Sequence, residues 1–303
     1  EDCQGDWTLW VSDNAGADTG TLNLWKVSVK IPTPYTHRFW RQLYWPDYNA
    51  VNGCTQIAFG DVDGDSLHEL VVGLGSYTED GGWICVMDDE DNNYVISNWI
   101  CGGWDAYNSI NGETRVACGD VDGDDTDEIV VGFGPYTYNG GRVRIIDDSA
   151  NKYSHLAWLS AGWPDYNTTN GETRVACGDV DGDDKDEIIV GFGTYTDNGG
   201  WLRIFDDADT KYASLNWLNV GWPNYNNTNG EVRVACGDVD GDDKDEIIVG
   251  FGTYTDNGGW VKVIDDAENN YALLKWIHAG WSAYNTSNGE TRVACGDVDG
   301  DDK

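Results

Sequence analysis

Basic residues are scarce in this 303-residue chain, which has 18 lysines and arginines against 54 aspartates and glutamates and a formal net charge of -36. A surface of that charge repels phosphate groups, so nucleic acids and anionic membranes are poor partners. No apolar run is long enough to cross a bilayer, and no segment has the composition of a signal peptide. The sequence therefore predicts neither nucleic-acid binding nor membrane insertion.

Catalytic patterns and long helices are also missing from the sequence. The chain has no G-x-S-x-G, and its four histidines stand in no nucleophile context, so no protease triad can be assembled. No segment has the periodicity of a helix of ten or more residues. What is abundant is apolar surface, because sixteen tryptophans, sixteen tyrosines and many valines and isoleucines exceed what a disordered acidic tail would have. We expect a folded, non-catalytic chain.

A repeat of 59 residues organises most of the chain. The hexapeptide GDVDGD begins at Gly60, Gly119, Gly178, Gly237 and Gly296, and tryptophans and tyrosines recur at the same interval. The third unit reads as four short strands, TRVACGD, EIIVGFG, WLRIFDD and YASLNWL. The predicted fold class is therefore all-β, with tandem four-stranded propeller-type blades. An open stack of β-units is the alternative.

Residues 37–303 hold four full units and part of a fifth. The last residues, GDVDGDDK, stop inside an acidic loop, before its final glutamate. From this we expect the chain to be a segment of a longer polypeptide.

The acidic loop of each unit has the donor pattern of a cation site. In the third unit, positions 1, 3, 5, 7 and 9 are Asp179, Asp181, Asp183, Lys185 and Glu187. A turn that gathers three carboxylates, the carbonyl of residue 7 and a closing glutamate suits Ca²⁺ better than Mg²⁺ or Zn²⁺. Gly182 permits the sharp bend. Asp184 and Asp186 fall off this register, and we interpret them as solvated charge or as support for the ligands.

This loop, D-x-D-G-D-x-x-x-[DE] between an apolar strand and a strand such as IIVGFG, resembles FG-GAP repeats and the closely similar VCBS repeats. The resemblance implies a Ca²⁺-binding β-propeller like the integrin α-subunit head, with about seven blades. It also implies metal ligands at the same five positions of every unit. In the first two units these are Asp61, Asp63, Asp65, Leu67 and Glu69, then Asp120, Asp122, Asp124, Thr126 and Glu128. In the last two they are Asp238, Asp240, Asp242, Lys244 and Glu246, then Asp297, Asp299 and Asp301.

Residues 1–30 differ from the repeats. Their stretch GDWTLWVSDNAGADTGTLNLWKVSV resembles the last strands of the P domain, or homo B domain, of secreted subtilisin-like proteases. About thirty residues cannot build such a β-sandwich alone, so this segment is an incomplete domain. Residues 31–36, which include IPTPY, form a predicted linker.

The eight cysteines fall into two groups. Cys118, Cys177, Cys236 and Cys295 recur in VACGDV, where the first unit has Phe59, so we interpret them as free core thiols. Cys85 and Cys101 flank the turn DEDNN, which predicts a disulfide between them. Cys3 and Cys54 remain as a second pair by elimination.

Two further features each have two interpretations. Asn167, Asn226 and Asn285 begin N-x-[ST] triplets at one repeat position, and they are either glycan acceptors on one face or polar turns. Trp163 and Tyr166 recur in register and either pack between units or offer a sugar-stacking platform, of which packing is favoured.

Together these features predict an extracellular or cell-surface protein with Ca²⁺ as its cofactor and a structural or adhesive role. Near-identical units suit a filament or surface array, so the expected partners are other copies of the chain, or an extracellular protein or glycan. One alternative function is a carbohydrate-binding, lectin-like propeller. Another is the accessory C-terminal region of a secreted subtilisin-like protease.

Overall fold

The computed structural model describes residues 40–43 and 45–296. The chain divides into two compact units, Glu1–Gln42 and Leu43–Lys303. The P-domain-like segment 1–30, the linker 31–36, Cys3 and the last predicted ligands lie outside the described residues. The following account therefore concerns the second unit.

The described residues form four antiparallel four-stranded sheets, whose strands pair in chain order as predicted. We call these sheets blades 1 to 4. Blade 1 consists of β1 (Thr55–Gly60), β2 (Glu69–Leu74), β3 (Trp83–Met87) and β4 (Ile96–Cys101), and blade 2 of β5 (Thr114–Gly119), β6 (Glu128–Phe133), β7 (Arg142–Ile146) and β8 (His155–Ser160). Blade 3 consists of β9 (Thr173–Gly178), β10 (Glu187–Phe192), β11 (Trp201–Phe205) and β12 (Ser214–Asn219), and blade 4 of β13 (Val232–Gly237), β14 (Glu246–Phe251), β15 (Trp260–Ile264) and β16 (Leu273–His278).

Short helices stand before each first strand and after blade 4, and each has four to six residues. They are α1 (Pro46–Val51), α2 (Asp105–Asn108), α3 (Pro164–Thr169), α4 (Pro223–Asn226) and α5 (Ser282–Asn285). A single 3₁₀ turn, Ala208–Thr210, joins β11 to β12 in the described chain. The expectation of an all-β chain with no helix of ten residues is thus confirmed for the residues described.

The hydrophobic core lies between consecutive blades. One cluster joins Val71 and Ile84 of blade 1 to Ile129 and Phe133 of blade 2, and equivalent clusters join blades 2 and 3 and blades 3 and 4. The second strand of each blade is therefore apolar on both faces, as in EIIVGF of β10, where all six residues are buried. Within the described residues the four sheets do not close into a ring.

The recurring tyrosine of the short helices holds each helix against the blade that follows it, as in blade 3. Tyr166 is fully buried, its hydroxyl donates to the carbonyl of Glu172 at 2.6 Å, and it accepts from the Gly193 amide at 2.7 Å. Its ring is stacked on Trp163 at 4.7 Å and meets Phe192 edge-on. The favoured interpretation of this pair as packing is confirmed for Tyr166, whereas Trp163 remains half-buried.

The predicted disulfide between Cys85 and Cys101 is wrong, because both are free thiols. The hairpin register places Cys85 opposite Trp99 and Cys101 opposite Trp83, with a bulge between Val86 and Met87. Cys85 is buried in the core at the middle of β3, whereas Cys101 is exposed at the end of β4.

The four cysteines of VACGDV are free, as predicted. Cys118, Cys177 and Cys236 are half-buried, and Cys295 is exposed. Each of them packs against the glycine that ends the first strand of the preceding blade. A Cβ added to Gly60 would lie only 2.3 Å from Cys118 Cβ.

Candidate metal centres

Each of the four acidic loops that the structure describes is held in a tight turn by its first aspartate. Asp179 accepts the amide hydrogens of Gly182 at 2.6 Å, Asp183 at 3.2 Å and Asp184 at 3.1 Å. Gly182 has a φ of +84° and Asp184 a φ of 67°, so the chain passes twice through the left-handed region that glycine adopts freely and aspartate tolerates. Asp61 makes the same three contacts in the first loop.

The structure brings the carboxylates of positions 1, 3 and 9 together. Within each of three sets, one oxygen per residue lies within 4.8 Å of the others: Asp61, Asp63 and Glu69; Asp120, Asp122 and Glu128; and Asp179, Asp181 and Glu187. In the fourth loop burial, and then the charges of Asp240, Asp238 and Asp242, raise the pKa of Glu246, so these aspartates lie near it.

An aspartate from outside the loop, which the sequence analysis missed, joins each of the first two sets. Asp89 groups with Asp65 and Glu69, and Asp148 groups with Asp124 and Glu128, again within 4.8 Å. Both aspartates follow the third strand of their blade and are buried. The signal was available, because an Asp-Asp pair recurs at the 59-residue interval and its second members are Asp89, Asp148, Asp207 and Asp266.

We call the five carboxylates of one blade its carboxylate cage. Cage 1 comprises Asp61, Asp63, Asp65, Glu69 and Asp89, and cage 2 comprises Asp120, Asp122, Asp124, Glu128 and Asp148. Cage 3 comprises Asp179, Asp181, Asp183, Glu187 and Asp207, and cage 4 comprises Asp238, Asp240, Asp242, Glu246 and Asp266.

The glutamate of each cage carries the clearest sign of a missing partner. Its Oε2 accepts a backbone amide, as from Val62 to Glu69 at 3.0 Å and from Val121 to Glu128 at 3.0 Å. Its Oε1 is buried and has no hydrogen-bond partner among the described residues in any of the four cages. An unpaired buried carboxylate oxygen is costly, so this oxygen is suited to a cation.

The electrostatics of the cages support this interpretation. Burial, followed by the charge of Asp63, raises the pKa of Glu69 to about 8. Burial, followed by Asp122, raises the pKa of Glu128 to about 9, and burial with Asp181 raises that of Glu187 to about 9. In cage 4 burial and the nearby aspartates raise the pKa of Glu246 to about 7. Without a cation these carboxylates therefore resist ionisation.

The residue at position 7 differs between the loops. Its backbone amide donates to the aspartate at position 5, as from Leu67 to Asp65 at 2.9 Å and from Thr126 to Asp124 at 3.1 Å. The ligand role of its carbonyl stays a prediction. In the third and fourth loops, Lys185 and Lys244 also direct their ammonium groups towards carboxylates.

Position 8 contributes a contact between blades. The Asp186 amide donates to the carbonyl of Asp120 in the preceding loop at 2.9 Å, and the Asp127 and Asp61 backbones are joined in the same way. Asp127 Oδ2 also accepts the Asp61 amide at 2.9 Å. Asp184, at position 6, is exposed as expected, whereas Asp186 supports the neighbouring loop.

The predicted glycan acceptors are poorly placed for modification. Asn167, Asn226 and Asn285 have exposed fractions of 7%, 2% and 1%. The side chain of Asn167 lies against Gly141 and Gly162, where an added Cβ would fall about 2 Å from its Oδ1. These asparagines belong to the packing of the short helices.

An aromatic cleft lies on blade 3, away from the cages. It is lined by Trp163, Trp201 and Trp217, together with Asp165, Tyr195, Asp197 and Asn198. A similar cleft on blade 4 is lined by Gly221, Trp222, Asn257, Trp260 and Trp276. In blade 2 the place of Trp201 is taken by Arg142, whose guanidinium lies 5.9 Å from the Trp104 ring.

No protein-family model matches the chain. No curated protein sequence matches it. Similar solved structures include the rhamnogalacturonan lyase YesW (16% identity, 74% of this chain and 48% of that chain, TM-score 0.42). They also include the Dos1 propeller (13% identity, 75% and 48%, TM-score 0.45) and the Bacillus licheniformis rhamnogalacturonan lyase PL11 (14% identity, 74% and 50%, TM-score 0.45). The chain spans about half the length of these structures.

No helix among the described residues is long and apolar enough to span a bilayer.

Proposed function

We propose that this chain is a non-catalytic, extracellular Ca²⁺-binding repeat protein with a structural or adhesive role. The observation that carries the proposal is the buried Oε1 of Glu69, Glu128, Glu187 and Glu246, which no described group satisfies. Each of these oxygens belongs to a cage of five carboxylates. A cluster of hard oxygen donors with this much charge suits Ca²⁺, which accepts about six to eight such ligands in flexible geometry.

The architectural consequence is a cation that ties three parts of a blade together. The loop aspartates lie between the first and second strands, the glutamate begins the second strand, and the outer aspartate follows the third strand. Outside cells Ca²⁺ is abundant enough to keep even modest sites occupied. The resemblance of the loops to FG-GAP and VCBS repeats supports the same function.

Thermal unfolding of the 303-residue chain tests the proposal directly. We expect about 1 mM Ca²⁺ to raise the melting temperature well above its value in EDTA, because only the folded chain presents the complete cages. Mg²⁺ at the same concentration should do less, since it demands a smaller octahedral site. Equal melting temperatures in Ca²⁺ and EDTA would overturn the proposal.

The array role is supported by apolar residues exposed on the outer blades. Val62, Val121 and Val180 are fully buried, whereas the matching Val239 of blade 4 is 45% exposed. In blade 1, Ile57 and Phe59 are exposed as well. Association of copies through these faces should appear as concentration-dependent sedimentation, and strictly monomeric behaviour up to high concentration would exclude it.

A carbohydrate-binding function is the second candidate, and the blade 3 cleft favours it. Trp163, Trp201 and Trp217 present indole rings beside Asp165, Asp197 and Asn198, a combination of apolar faces and hydroxyl-binding groups that suits a sugar ring. Trp201→Arg copies the residue found in blade 2. It should abolish binding to any glycan that a glycan array identifies, and an array without hits would count against this function.

A further inference from the structure

The residue at position 7 differs among the acidic loops. In the third and fourth loops its side chain contacts carboxylates of the cage. In blade 3, the Lys185 ammonium lies 3.0 Å from Asp207 Oδ2 and 2.5 Å from Asp209 Oδ2. In blade 4, the Lys244 ammonium lies 2.7 Å from Glu268 and 3.8 Å from both Asp266 and Asp242. Cages 3 and 4 thus contain or border a cation that the chain itself supplies.

Cages 1 and 2 have no such ammonium, because Leu67 and Thr126 occupy position 7. Among the described residues no ion pair reaches Asp89 or Asp148, the aspartates that match Asp207 and Asp266. Asp89 is 2% exposed, and its Oδ2 has no hydrogen-bond partner in the described chain. Asp89 lies in the same group as Asp65 and Glu69, so its carboxylate is available to a cation bound there.

We propose that the aspartate after the third strand is a cation ligand, and that position 7 sorts the four cages into two affinity classes. The inference rests on the proposed Ca²⁺ function. In cages 1 and 2, Asp89 and Asp148 are free to bind the ion. In cage 3 the Lys185 ammonium already binds Asp207, and in cage 4 the Lys244 ammonium lies 3.8 Å from Asp266, whose Oδ2 has no hydrogen-bond partner in the described chain. Ca²⁺ therefore meets less negative charge in both cages and competes with the ammonium most directly in cage 3.

The same contact should make cages 3 and 4 less dependent on Ca²⁺ for their structure. An ammonium within 4 Å of two carboxylates relieves part of their mutual repulsion before any metal binds. Blades 1 and 2 lack this relief, so their loops should be the less ordered ones when Ca²⁺ is absent. The chain would then bind Ca²⁺ in two steps, with cages 1 and 2 filling at lower Ca²⁺ concentration than cages 3 and 4.

Calorimetric titration of the full 303-residue chain with Ca²⁺ tests this inference. The double variant Lys185→Thr and Lys244→Thr gives cages 3 and 4 the residue of cage 2. We expect their Ca²⁺ affinity to rise about tenfold, so that the two binding steps merge. The reciprocal variant Thr126→Lys should weaken one strong site by a similar factor. Lys275→Thr, on the exposed face of β16, removes the same charge outside any cage and should leave the titration unchanged.

The experiment measures Ca²⁺ affinity rather than stability, because Lys185 also packs against the preceding blade. A Cβ added to Gly123 would lie 2.7 Å from Lys185 Cε, so shortening this side chain alters stability for reasons unrelated to metal. Asp148→Asn tests the ligand role of this aspartate without changing a lysine. It should weaken Ca²⁺ binding at cage 2 and leave the circular dichroism spectrum unchanged. Ca²⁺ titrations that are identical in the wild type, the lysine variants and Asp148→Asn would overturn this inference and leave the proposed function standing. A wild-type chain that binds no Ca²⁺ would overturn both.

Discussion

Arg174 of blade 3 binds Glu231 of blade 4, with 2.9 Å between its Nη1 and the carboxylate, and the same guanidinium also binds Glu172 beside it. Arg115 and Arg233 make the same pair of contacts one blade earlier and one blade later. The first strands of successive blades are therefore joined by a continuous ladder of alternating glutamates and arginines. All of its inner members are largely buried.

Removing an inner arginine of the ladder should clearly lower the free energy of unfolding. Arg174→Met leaves two buried carboxylates short of a partner, although Glu172 keeps Arg115 and Glu231 keeps Arg233. Breaking a buried ion pair in this way costs roughly 3 kcal/mol in the free energy of unfolding. Urea unfolding in the presence of Ca²⁺ measures this loss of stability. Arg292→Met is the matched control, because Arg292 occupies the same repeat position but its side chain is 81% exposed, and equal losses in the two variants would contradict the role of the ladder.

The ladder also predicts how stability depends on pH. Burial alone would raise the pKa of Glu172, but Arg115 and Arg174 outweigh it and hold that pKa below 4.5. A carboxylate whose pKa is lowered by folding stabilises the native state above its unfolded pKa and loses that contribution as pH falls through the folded value. The difference in melting temperature between wild type and Glu172→Gln should therefore be largest near pH 7 and shrink below pH 4.5. Glu79→Gln, at an exposed position, should show no such difference at any pH, and a constant difference for Glu172→Gln would exclude the ladder as its cause.

The sequence predicted the local features of this fold better than those that depend on contacts between blades. The 59-residue repeat and the alternation of apolar residues were enough to find the four strands of each unit, because those patterns are set by short-range geometry. The ladder was not foreseen, since Arg115 reaches Glu172 of the next unit only when first strands lie side by side. The Cys85 and Cys101 pairing failed for a related reason, because sequence spacing does not fix the register of a hairpin, which places Trp99 opposite Cys85.

In the cages, too, the residues that are close in sequence were predicted and the more distant one was not. The loop positions 1, 3 and 9 could be read from alternating aspartates around a glycine, because a tight turn brings such residues together. Asp89 and its equivalents lie about twenty residues further along the chain, and only the pairing of β2 with β3 brings them back to the loop. The burial of Asn167 was likewise hidden, because N-T-T reads equally well as an exposed turn.

The glutamate of a cage should have opposite effects on stability with and without metal. Glu128 is fully buried, its Oε1 has no partner, and its pKa is raised to about 9 by burial and by Asp122. At pH 8 without metal the folded chain must hold a proton on Glu128 that the unfolded chain releases, which is unfavourable. Glu128→Gln removes this cost, so it should raise the melting temperature in EDTA at pH 8. In Ca²⁺ the same variant loses a ligand and should melt below wild type.

Asp125→Asn is the control for that experiment. It removes one negative charge from the same loop, at an exposed residue with a φ of 70° that asparagine also tolerates. We expect little change in either condition. If Glu128→Gln lowers the melting temperature equally in EDTA and Ca²⁺, its carboxylate is a structural acceptor rather than a metal ligand.

The glycine that ends each first strand sets how closely consecutive blades approach. A Cβ added to Gly119 would lie 2.5 Å from Cys177 Cβ and 2.1 Å from Asp186 Oδ2, so the two blades would have to move apart. Overpacking of this kind costs about 3 kcal/mol, and Gly119→Ala should lower the free energy of unfolding in urea by that amount. Gly296→Ala is the matched control, since a Cβ there meets no described atom within 4 Å. Equal stability of the two variants would show that blades 2 and 3 do not pack through this glycine and Cys177.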